Sequence, residues 1–64
     1  MPQYSLHFLD VDGRAAGRQV VDAPTDAHAQ QLAIALLERD PDYWRVEVWI
    51  GGRRIFSYER ETRR

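Results

Sequence analysis

Any chemistry in this chain has to come from a short list of side chains. His7, Asp10 and Asp12 are the nearest approach to a metal-ligating set. Asp10-x-Asp12-Gly13 has the opening spacing of a calcium loop, which also needs further oxygen ligands and a closing Glu at fixed offsets. Here Arg14 follows, and no acidic residue closes the loop; an Asp-Gly hairpin turn accounts for the same residues. His28, Asp26 and Glu38 place an imidazole and two carboxylates on one stretch of helical pattern, but Asp26 and Glu38 are too far apart along it to converge. Ser5, Ser57, Thr25 and Thr62 have no base or oxyanion element beside them. With no Cys, disulfides and thiolate metal sites are excluded. The sequence reads as that of a non-enzymatic protein with no cofactor and no metal.

A second constellation lies in the last third of the chain. Arg45-Val46-Glu47-Val48-Trp49-Ile50 and Arg53-Arg54-Ile55-Phe56-Ser57-Tyr58 flank Gly51-Gly52, a pair suited to the positive φ angles of a two-residue hairpin. With those glycines central, Val48 faces Ile55 and Val46 faces Ser57. The opposite face then carries Trp49 beside Arg54, Glu47 beside Phe56, and Arg45 beside Tyr58. Arg45, Trp49, Arg54, Phe56 and Tyr58 thus form a candidate interaction surface, to which Ile34 adds an apolar side chain on the polar side of the predicted helix. Aromatic and Arg enrichment marks the centres of protein interfaces. The same ingredients on an open sheet also serve single-stranded nucleic-acid platforms.

Charge weighs between the two. The net charge of −1 argues against a nucleic-acid partner, since such proteins carry a positive excess. Its distribution softens the objection: residues 1–44 hold three Arg against six Asp and one Glu, a balance of −4, whereas residues 45–64 hold six Arg against three Glu, a balance of +3. All nine basic residues are Arg. A GC-rich genome explains that bias together with the seven Ala; selection for planar, bidentate cations is the alternative.

The elements that must position these residues follow from periodicity. Gln3 to Leu9 alternates, with Tyr4, Leu6 and Phe8 on one face and Ser5, His7 and Leu9 on the other. Asp12-Gly13 then turns the chain into a weak second strand, about 17–22, that reads as an edge. Two registers stay open: one sets Phe8, Leu6 and Tyr4 opposite Gly17, Gln19 and Val21, and the other slips by one residue to bring Val20 opposite Leu6. Pro24-Thr25-Asp26 opens a helix predicted over 26–39, capped by Thr25 or Asp26 and stopped by Asp40-Pro41. Ala29, Leu32, Ala33 and Leu36 form its apolar stripe, with Leu37 at the margin. Strands at about 43–50 and 53–58 close the chain, and residues 59–64, without an apolar side chain, read as a frayed tail.

The expected architecture is therefore a single α+β domain, ββαββ, with a four-stranded antiparallel sheet in the order 2-1-3-4 and one helix on one face. At 64 residues the core is small and the stability marginal. Self-association is a common remedy, and the expected partner is a second copy or an unidentified protein, through the aromatic face or through an edge strand. The first residues do not read as a signal peptide, and the longest apolar run, Leu32 to Leu37, is far below a membrane span of about 20 residues. The expected setting is the cytoplasm.

The chain also resembles a family of short uncharacterised proteobacterial proteins, domains of unknown function. The likeness rests on Tyr4-Ser5-Leu6-His7-Phe8-Leu9-Asp10 with Gly13, the Ala-rich helix after Asp26, and Val46-Glu47-Val48-Trp49 with Arg54, covering about residues 4–58. It implies the fold and a bacterial cytoplasmic origin, and no activity, cofactor or partner.

Overall fold

The computed structural model describes residues 2–60. Strands β1 (Gln3–Leu9) and β2 (Ala15–Asp22) form one hairpin, helix α1 (Asp26–Arg39) follows, and β3 (Arg45–Ile50) and β4 (Arg53–Glu59) form a second. The sheet order is β2-β1-β3-β4, with every neighbouring pair antiparallel. This is the expected ββαββ α+β fold. Alternation in β1 buries Tyr4, Leu6 and Phe8 under the helix and leaves Ser5, His7 and Leu9 half-buried on the other face. Val46 and Val48 of β3 complete the centre of the core with Ala29, Ala33 and Leu37 of α1.

Of the two registers open for the first hairpin, the chain takes the one that sets Tyr4, Leu6 and Phe8 opposite Val21, Gln19 and Gly17. A polar residue opposite Leu6 is tolerated because α1 packs on β3 and, at its margins, on β1 and β4. The outer strand β2 lies past its cover, and Gln19 is exposed. The turn is built by Asp10, whose Oδ1 accepts from the backbone N–H of Asp12 and of Arg14, each at 2.9 Å. Gly13, at φ +82°, donates its N–H to the Asp10 carbonyl. The Asp10 carboxylate thus serves the hairpin.

The second hairpin departs from the expected register. Gly51 and Gly52 sit at φ +57° and +77° and Ile50 faces Arg53, as a two-residue turn requires. Trp49 faces Arg54, but a β-bulge follows, so that Val48 opposes Phe56 and Val46 opposes Tyr58, while Glu47 opposes Ser57. Phe56 and Tyr58 therefore lie on the helix side, half-buried against the core, together with the bulged Ile55. The uncorrected register would put Ser57 into the core and two rings into water. Burying a large apolar side chain is worth about 1.5–3 kcal/mol, against about 1 kcal/mol for a disturbed ladder hydrogen bond, so the bulge wins.

Helix α1 starts at Thr25, whose hydroxyl accepts from the His28 N–H at 3.1 Å. Its buried line is Ala29, Ala33 and Leu37, so Leu37 is central instead of marginal, with Leu32 and Leu36 half-buried on one flank and Ile34 half-buried on the other. Two small residues in that line bring the helix close to the sheet. Asp26, in the first turn, accepts a 2.7 Å hydrogen bond from the buried Tyr4 hydroxyl and so ties the helix start to β1. The other end is tied by Arg60. Its guanidinium donates to the carbonyls of Leu37 (2.5 Å), Asp40 (2.9 Å) and Tyr43 (3.0 Å), and its backbone N–H donates to Trp44 O at 2.8 Å. The tail read from Glu59 onward is corrected for its first two residues: Glu59 closes β4 and Arg60 caps the helix, because the orphan carbonyls of a helix C-terminus attract a cation. Residues 61–64 lie outside the described residues.

Arg60→Met keeps the aliphatic stem and removes the donors. We expect it to lower stability by about 1–3 kcal/mol, read from the urea midpoint. The Tyr4 phenol is raised above its usual value near 10, first by its hydrogen bond to Asp26, then by burial and by the Asp26 charge. Below that value both folded and unfolded chains keep the proton. Above it the unfolded chain ionises first, so stability falls as pH rises from about 10 towards the folded-state value. Tyr4→Phe should be less stable at neutral pH and lose that part of the alkaline slope.

Candidate functional site

Three of the proposed surface residues, Arg45, Trp49 and Arg54, do meet on the sheet face away from the helix. They meet around Glu47. Its carboxylate, with the side chain only 15% exposed, takes Arg54 Nη1 at 3.3 Å and Arg45 Nη2 at 3.8 Å on Oε2, while Trp49 Nε1 donates to Oε1 at 3.3 Å. Arg45 also reaches Ser57 Oγ at 3.5 Å. His7 of β1, diagonal to Trp49, stacks on its ring with centroids 5.6 Å apart and planes at 22°. Trp49 is thus covered by an imidazole and held by a carboxylate, and it is half-buried. Arg54 is Trp49's cross-strand neighbour, as expected, with its guanidinium paired to Glu47.

Phe56, Tyr58 and Ile34 do not join them. The bulge turns Phe56 and Tyr58 to the helix layer, and Ile34 belongs to that layer too. The exposed aromatic patch expected around Trp49 is therefore not assembled. Glu47 is the residue the sequence reading passed over, having set it beside Phe56. Its signal was Arg45 and Trp49 at i−2 and i+2, the same face of one strand. A second indole, Trp44, donates to Glu59 Oε2 at 3.0 Å and locks the start of β3 to the end of β4.

Exposed apolar surface lies elsewhere. Among the described residues the large exposed hydrophobics are Val11, 67% exposed in the first turn, and Val20, 51% exposed in the middle of β2. Gly17 and Val21 are the half-buried residues of β2 and its other six are exposed, so the strand meets water on both faces and along its outer edge. Beside it, on the helix side, a groove of about 440 Å³ runs between Leu36, Arg39 and Asp40 on one wall and Gln19 on the other. Phe8 and Tyr43 floor it, stacked at 4.5 Å. The Tyr43 hydroxyl sits directly over Gly17, where a Cβ would collide with it.

Among the described residues there is no group of three or more His, Cys, Asp or Glu placed to hold a metal ion, and no helix is long and apolar enough to cross a membrane. No family model, curated protein or solved structure matches the chain.

Glu47→Gln keeps the shape and removes the charge that two guanidiniums share. We expect a loss of about 1–2 kcal/mol at low ionic strength, shrinking as salt is added, in parallel urea titrations.

Proposed function

We propose that this protein is a small non-enzymatic interaction module that works by self-association in the bacterial cytoplasm. The observation that carries the reading is β2: an eight-residue outer strand with six residues exposed, a solvent-facing Val20 at its middle and an outer backbone edge unpaired among the described residues. Unpaired edges are templates for further strands, and proteins that stay monomeric blunt them with Pro, charged side chains, bulges or a covering element. From Gly17 to Asp22 β2 has no Pro; its bulge lies at Ala16, before that stretch, and its two charges, Arg18 and Asp22, are of opposite sign. Of the two routes expected for self-association, the aromatic face and an edge strand, the edge is favoured, because Phe56 and Tyr58 turn to the helix layer and Trp49 is half-buried between His7 and Glu47.

Light scattering over a concentration series, at low and at high salt, tests the reading. A mass rising from monomer to dimer with concentration, and surviving high salt, supports it. A monomer throughout both series ends it.

A further inference from the structure

We propose that the partner of β2 is the β2 strand of a second copy, paired antiparallel about a two-fold axis at Val20, so that two four-stranded sheets become one of eight strands. This rests on the self-association reading and gives it a register.

Backbone parity comes first. In an antiparallel pair, successive residues turn their N–H and C=O groups alternately towards and away from the neighbouring strand. Ala23 donates its N–H to Pro2 O at 3.2 Å, in the register that pairs Gln3 with Asp22. Alternation then turns Ala23, Val21, Gln19 and Gly17 inward to β1, and leaves the amides and carbonyls of Asp22, Val20 and Arg18 pointing out of the sheet. An antiparallel mate centred on Val20 meets those groups with its own: Val20 with Val20, Arg18 with Asp22 and Asp22 with Arg18, each pair exchanging two backbone hydrogen bonds.

Side chains choose among the registers that parity allows. Arg18, Val20 and Asp22 share the sheet face away from the helix, since their partners on β1 are His7, Ser5 and Gln3. The axis at Val20 buries the exposed valine against its copy and flanks it with two Arg18–Asp22 ion pairs. Moving the axis to Gln19 sets each Arg18 against Val20, and moving it to Val21 sets each Val20 against Asp22; either shift leaves the charges uncompensated. On the helix side, the chosen register lays Gln19 beside the second copy's Val21, and the exposed glutamine gains a half-buried apolar neighbour. On that side Gln19 is exposed across the groove from Leu36 and Arg39, so the approach is open there.

The test is a charge exchange on the full chain, with dimerisation constants from sedimentation equilibrium and folding checked by circular dichroism. Arg18→Asp and Asp22→Arg each replace two opposite-charge contacts per dimer by two like-charge contacts, and should weaken association by about tenfold. The double variant R18D/D22R recreates both pairs with reversed sign and should restore association to near the original value. Singles that weaken it without rescue in the double variant, or a dimer indifferent to all three, overturn the register while leaving self-association standing. A chain that is monomeric at every concentration before any substitution overturns both.

Discussion

A single helix of fourteen residues is about 21 Å long and roughly 10 Å across, and four strands at about 4.8 Å spacing make a wider layer than it can roof. Most of the molecule's features follow from that mismatch. Helix α1 settles over β3 and the margins of β1 and β4, where Ala29 and Ala33 allow close approach and Leu37 fills the centre. The strand left over is β2. Its composition suits the position: Gln19 opposite Leu6 would be costly under a helix and is ordinary in water. The groove above Phe8 and Tyr43 is the space between the helix flank and this uncovered strand.

The face without a helix meets a different constraint. A sheet with one side in water cannot carry many large apolar groups without becoming sticky. Here the central residue of that side is an acid. Glu47 draws Arg54 and the Trp49 indole into hydrogen bonds and Arg45 into an ion pair, and His7 lies flat on the indole. Aromatic and cationic side chains that would otherwise read as binding equipment are thereby drawn towards one carboxylate.

With so small a core, hydrogen bonds between distant segments hold the two layers in place. Tyr4 to Asp26 fastens the first strand to the helix start, and Arg60 to the carbonyls of Leu37 and Asp40 fastens the end of the last strand to the helix finish. Each joins an element from one end of the sequence to the middle, so each closes a long loop whose entropy the surrounding packing must offset.

Most of the fold was legible in the sequence because local chemistry dictated it. Alternation made β1, Thr25 and Asp40-Pro41 bounded the helix, Gly51-Gly52 set the second turn, and the apolar ranking of the strands put β1 and β3 at the centre. The surface was less legible. Side chains in a strand alternate with period two, so one extra residue reverses everything beyond it. No local preference near Ile55 signals such a residue. What installs it is the gain from turning Phe56 and Tyr58 towards the core, a contact with chain segments far away in sequence. The same reason hid Arg60, polar and terminal, whose partners are carbonyls that become orphans only once the helix ends beside it. Composition and spacing by themselves determined which segments are strands, helix and turns; tertiary packing decided which face each late side chain serves, because that choice depends on burial free energy summed over elements the local sequence does not contain.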